Sequence, residues 1–140
     1  MDEPGRKIFL DTNVLVYAYS ETEAEKKAKV LPLLEGEPVS LSTQVINEFV
    51  WVMNRKFNVP MGSLHHIVNN LFELYHVRII NESTISKAMN MSSKLNFPYW
   101  DSLIVASAIE AECDMLYTED LQHGQIIESR LIIRNPFLDL

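Results

Sequence analysis

Little in this chain points outside the cell or into a membrane. Its one cysteine, Cys113, rules out an internal disulfide and suits a reducing compartment. The longest apolar stretch, residues 103–109, stops at Glu110, whereas a membrane span needs about 20 such residues. The opening segment, Met1-Asp2-Glu3-Pro4-Gly5-Arg6-Lys7, is charged and runs into too little apolar sequence for a secretory leader. Linker-like stretches, internal repeats and low-complexity tracts are missing as well. A single cytoplasmic domain over residues 1–140 is expected. Positive charge is also scarce: 12 Lys and Arg face 19 Asp and Glu, a net charge of −7. Phosphate binding usually leaves a basic footprint, so this balance weighs against a nucleic-acid partner.

Apolar content is plentiful, at 47% of 140 residues, and supports a real core. Short apolar strands alternate with helices. Residues 7–10 read as a strand, 14–19 as a short helix, and 22–35 as a charged helix stopped by Gly36 and Pro38. Residues 39–42 form a second strand. The helix over 43–57 is apolar almost all round, which implies burial or a covering partner. Leu64, Ile67, Val68, Leu71, Phe72 and Tyr75 fall at helical intervals of three and four. Residues 77–80 read as a strand, and Ser83 is placed to cap a helix that Phe97-Pro98 breaks. A helix over 101–112 and strands over 115–118 and 131–133 complete the pattern. Such strands, separated by helices, belong to a parallel sheet covered on both faces, an α/β fold.

Four acids interrupt this pattern. Asp11 ends the strand Ile8-Phe9-Leu10, and Glu48 lies between Val45-Ile46 and Phe49-Val50. Asp101 follows Tyr99-Trp100 and precedes Leu103-Ile104-Val105, while Asp120 comes just after Leu116-Tyr117-Thr118. A carboxylate among apolar residues is costly unless it is paired or holds a cation. In an open parallel sheet the functional crevice lies beyond the carboxyl ends of the strands, and all four acids can reach that end. Taken singly, each has an ordinary explanation. Asp11 could be a helix cap, Asp101 a first-turn acid favoured by the dipole, and Asp120 a turn residue. Glu48 could pair with Arg55, about two turns further along the same helix. Together they point to a divalent metal site. Set aside as ligands, they leave 15 of the 19 acids against 12 bases, a balance of −3. The acidity then weakens a nucleic-acid reading without removing it.

Four segments, in order, carry a family resemblance: Phe9-Leu10-Asp11-Thr12-Asn13-Val14-Leu15, Val45-Ile46-Asn47-Glu48-Phe49, Tyr99-Trp100-Asp101-Ser102-Leu103-Ile104-Val105-Ala106-Ser107-Ala108 and Leu116-Tyr117-Thr118-Glu119-Asp120-Leu121-Gln122-His123-Gly124. They resemble the motifs of the PIN domain over essentially the whole chain, and within that family the small VapC toxins of toxin–antitoxin pairs. The resemblance implies a three-layer α/β/α sandwich with a short, mainly parallel sheet. It also implies a metal-dependent ribonuclease, often a homodimer, held inactive by a cognate antitoxin. By motif match its acidic quartet is Asp11, Glu48, Asp101 and Asp120, accompanied by Asn13 and Thr118.

The residue types suit that chemistry independently. Hydrolysing an RNA phosphodiester needs an activated water and a stabilised charge, and Mg2+ (or Mn2+) held by carboxylates provides both. Asp11 is expected at the centre with Asp101 and Asp120. Glu48 either binds metal or orients the attacking water. Thr12, Asn13, Ser102 and Thr118 are candidates to orient the carboxylates, and Arg55 could meet a substrate phosphate at the rim. Two other readings stand beside the nuclease. One is a magnesium phosphohydrolase with Asp11 as nucleophile, although Asn13 stands where aspartyl phosphatases carry a second acid. The other is a PIN-like domain that only binds RNA or protein.

Other conspicuous residues rank lower. His65 and His66 are adjacent on a helix, point apart, and suit the surface; His123 reads as a turn residue. Cys113 reads as a packed small residue, and Trp51 and Trp100 as core by default, with RNA stacking open to them only if exposed. The helices over 43–57 and 64–75 offer surplus apolar surface for an antitoxin or a second copy.

Overall fold

The branched and aromatic residues of the first strand, Ile8–Leu10, are wholly buried, and the sheet grows from them in both directions. The structure is a computed structural model that describes residues 6–140. The expectation of no leader rests mainly on residues 1–5, which lie outside the described residues. Over the described residues the order is β1 (Ile8–Leu10), α1 (Thr12–Ala18), α2 (Ala24–Gly36), β2 (Val39–Ser42), α3 (Thr43–Arg55), α4 (Met61–Leu74) and β3 (His76–Arg78). Then come α5 (Glu82–Leu95), α6 (Tyr99–Glu110), β4 (Met115–Tyr117), β5 (Ile126–Ile127) and β6 (Leu131–Arg134). The sheet runs β3-β2-β1-β4-β6-β5, parallel throughout except for the antiparallel pairing of β5 with β6.

This strand order generates the layers. From β1 through β2 to β3 the chain moves one way across the sheet, then α5 and α6 carry it back to β4 on the other side of β1. Right-handed crossovers therefore put α1 to α4 on one face and α5 with α6 on the other. The packing agrees: α1 contacts α2 and α3, α3 contacts α4, and α5 lies along α6. The direction reverses between β1 and β4, so a crevice opens there, beyond their carboxyl ends.

Helix α6 is the helix buried all round, every residue from Ser102 to Ala108 being inaccessible or nearly so. The same was expected of α3, and there the structure differs. Val45, Ile46, Phe49 and Met53 face the core, while Asn47 and Trp51 face solvent, Trp51 at 64% exposure. An apolar side chain on a helix need not lie on its buried stripe.

Local signals explain the other displaced boundaries. Asn81, not Ser83, caps α5. Its side chain accepts from the Thr84 amide at 3.1 Å in a reciprocal capping box, and the Ser83 hydroxyl turns to Asn81 and Glu110 instead. Asn96 ends that helix in the left-handed region at φ 57°, where Asn is tolerated. Pro98 sits at the N-cap of α6, so the helix begins at Tyr99 and Asp101 becomes its third residue. The third strand is His76–Arg78, slightly earlier than expected. Strand β5, only two residues long, has no counterpart in the sequence pattern.

Candidate active site

Register brings the first pair of site residues together. Leu10 lies opposite Tyr117, and the Asp11 amide donates to the Tyr117 carbonyl at 3.0 Å, so Asp11 and Thr118 emerge side by side. Asp11 is extended and caps α1, its Oδ1 accepting from the Thr12 amide at 2.6 Å. Its Oδ2 accepts from the Thr118 hydroxyl at 2.7 Å. That hydroxyl in turn accepts from the Asp120 amide at 3.1 Å, which ties the turn carrying Asp120 to the end of β1.

Asp11 is only 8% exposed, and burial pushes its pKa from the ordinary 3.8 to about 6. The hydrogen bonds from Thr118 and Thr12 pull against this rise, and the charges of Asp120 and Asp101 add to it. Asp101, half-buried in the first turn of α6, is raised by burial and then by Asp120 and Glu48. One carboxylate oxygen from each of Asp11, Asp101 and Asp120 lies within 4.8 Å of the other two. Glu48 stands just outside this group, its Oε1 accepting from the Thr12 hydroxyl at 2.6 Å. All four acids line one open cleft of about 450 Å³.

The remaining expected residues divide. Thr12 and Thr118 hold carboxylates through the contacts just given, and Asn13 is exposed on the cleft wall. Ser102 does not reach the acids; its buried hydroxyl has no partner among the described residues. Arg55 turns to Trp51, its guanidinium carbon 5.6 Å from the ring centroid, and forms no ion pair with Glu48 among the described residues. Glu119, next to Asp120, is occupied elsewhere: it accepts from the Tyr17 hydroxyl at 2.6 Å and pairs with Lys26 at 3.1 Å. His65 and His66 are exposed on α4, and the Nδ1 of His123 accepts from the Asn135 amide at 2.9 Å. Cys113 is buried and free, its thiol pKa raised by that burial.

The cleft also contains residues that sequence reasoning passed over. Gln44 and Asn47 line it together with Trp51 and Trp100, and both tryptophans are 64% exposed rather than packed in the core. Gln44 lies about one turn before Glu48 on α3, and its position after Ser42 and Thr43 at the helix start gives it no comparable sequence signal. Its amide nitrogen donates to the Trp100 carbonyl at 3.2 Å, joining α3 to α6 across the cleft floor.

A parallel sheet with three carboxylates gathered where its winding reverses defines an α/β domain with an acidic centre. The PIN-domain profile matches residues 8–127, and the chain belongs to the PIN-domain family. No curated protein matches the sequence. Among solved structures, Mycobacterium tuberculosis VapC20, described as a sarcin–ricin loop cleaving toxin, shares 16% identity at TM-score 0.70, covering 88% of this chain and 98% of that one. A toxin–antitoxin complex from Klebsiella pneumoniae shares 16% at TM-score 0.64, covering 93% and 98%. Rickettsia felis VapBC2, bound to a DNA fragment from its promoter, shares 16% at TM-score 0.65, covering 92% and 98%. At such identities the likeness establishes the fold.

Proposed function

We propose that this PIN domain is a divalent-metal-dependent endoribonuclease and the cytoplasmic toxin of a toxin–antitoxin pair. The observation that carries the reading is the set of three carboxylate oxygens within 4.8 Å around the buried Asp11. Three like charges this close, one of them shielded from water, are poorly tolerated at neutral pH unless a cation sits among them. Hard oxygen donors suit Mg2+ or Mn2+, so the residues fit such an ion. When bound, it supplies Lewis-acid stabilisation of phosphate charge and a more acidic water.

Asp11, Asp101 and Asp120 hold the ion in this reading. Asp11 is the best oriented, because the Thr12 amide and Thr118 hydroxyl fix both of its oxygens. Glu48, outside the group and steered by Thr12, is assigned to orient the attacking water and receive its proton. Arg55 is the cation assigned to a substrate phosphate at the rim. A nucleophilic role for Asp11 fits less well, since both oxygens are engaged and the side chain is 8% exposed. A purely binding domain has no need to keep four acids in the cleft.

The related structures support a protein partner, being described as toxin–antitoxin assemblies or toxins. We assign to that partner, or to a second copy of the chain, the groove of about 320 Å³ lined by Val50, Met61, Leu64, His65 and Val68 on α3 and α4. The nuclease reading is tested with end-labelled structured RNA. Cleavage is expected in magnesium and not in chelator, and cleavage unaffected by chelator refutes it.

A further inference from the structure

The two tryptophans are exposed where exposure is least ordinary, on the walls of the acidic cleft. Trp100 immediately precedes Asp101, and Trp51 lies one turn beyond Glu48 on α3. Each ring is braced without being covered. Trp100 packs edge-on to Tyr99 at 5.4 Å, and the Gln44 amide holds its backbone carbonyl at 3.2 Å. Trp51 carries the Arg55 guanidinium at 5.6 Å. Both rings remain 64% exposed. The cleft also continues: a second depression of about 390 Å³ shares Gln44, Asn47, Glu48 and Trp100 with the first and extends to Thr43 and Ile80.

We infer that Trp100 and Trp51 are base-stacking platforms that bind single-stranded RNA in the acidic cleft. The inference rests on the nuclease reading and names the residues that hold its substrate. A strand whose phosphodiester reaches Asp11 and Asp101 enters the cleft that both rings line. The charge balance favours stacking over phosphate contacts. The chain is at −7, and the cleft wall carries four acids, with Arg55 the cation set beside it on Trp51. A site of this composition gains little from counterion release, so a flat, sequence-tolerant aromatic contact adds to what the ion and Arg55 supply. Duplex RNA hides its base faces within the stack and offers these rings nothing.

The chain has 2 tryptophans, these two, so its intrinsic fluorescence reads both platforms directly. The probe is a single-stranded RNA of about eight nucleotides, within the usual site size, compared with the same sequence as a duplex. Asp11→Asn protein serves as the parent, so that binding is measured without turnover. Quenching is expected with the single strand and not with the duplex. Trp100→Ala and Trp51→Ala should each weaken binding roughly 5- to 100-fold at unchanged melting temperature. Trp100→Phe should restore most of the loss, because it restores a ring. Three results overturn the inference: no quenching by any single strand, equal quenching by the duplex, or undiminished binding in folded alanine variants. The last would give the rings to a protein partner. Cleavage by the wild-type chain, run in parallel, separates the two readings. Cleavage with Trp variants of unchanged KM removes the platforms and leaves the nuclease. Quenching without magnesium-dependent cleavage removes the nuclease and leaves the platforms.

Discussion

Replacing Asp11 with Asn should stabilise the metal-free protein while destroying its acidic centre. In the folded chain the Asp11 carboxyl titrates at about 6 because it is buried, against an ordinary value of 3.8. A carboxyl raised in this way favours the native state fully below 3.8, and the benefit disappears as pH rises through about 6. At pH 7 the ionised Asp11 is therefore a burden. The gap between 3.8 and about 6, at about 1.36 kcal/mol per pH unit, amounts to about 3 kcal/mol. Asn escapes that cost and keeps most of the contacts. Its side-chain oxygen can still accept from the Thr12 amide, and its NH2 group can donate to the Thr118 hydroxyl, which rotates to accept. The variant should gain about 2–3 kcal/mol at pH 7, or roughly 6–10 °C in melting temperature for a chain of this size. The gain should shrink to nearly nothing at pH 4. Urea unfolding in chelator at both pH values checks this. A variant less stable than wild type at pH 7, or a gain of equal size at pH 4, refutes the reasoning.

Three further outcomes follow from the same geometry. Magnesium should raise the melting temperature of the wild-type chain, with about 2.7 kcal/mol gained at 100 times the dissociation constant, and should leave Asp11→Asn unmoved; calorimetry distinguishes the two. Apparent magnesium affinity should hold steady above about pH 7 and fall roughly tenfold per pH unit below about 6, as protons compete for Asp11; titration calorimetry across that range would show a flat profile if Asp11 is not a ligand. Thr118→Val removes both the donor to Asp11 and the acceptor of the Asp120 amide, so RNA cleavage should drop about 10- to 100-fold; wild-type rates in a folded Thr118→Val protein count against its positioning role.

How much of this was legible in the sequence varies by the kind of information each residue needed. Asp11 and Asp120 stand at the ends of apolar strands, and a parallel sheet sends adjacent strand ends to one crevice, so their meeting follows from pattern alone. The place of Glu48 did not follow. A helix shows its direction only once it is packed, and Glu48 is set apart from the three aspartates by its bond to Thr12. Ser102 is adjacent to Asp101 in sequence, yet neighbours on a helix point about 100° apart, and Ser102 faces the interior. The tryptophans failed for a related reason. An apolar residue beside core positions is core by default, and only tertiary packing reveals that Trp51 and Trp100 stand on the cleft side of their helices. Strand β5 is two residues long, below the length at which alternation can be read.

Titrating the wild-type chain with manganese at pH 7, and following free ion by electron paramagnetic resonance, tests the acidic centre most directly. The account predicts saturable binding to the wild-type protein that is lost in Asp11→Asn and Asp101→Asn. Equal binding by those variants, or no binding by the wild-type chain at millimolar manganese, would contradict it.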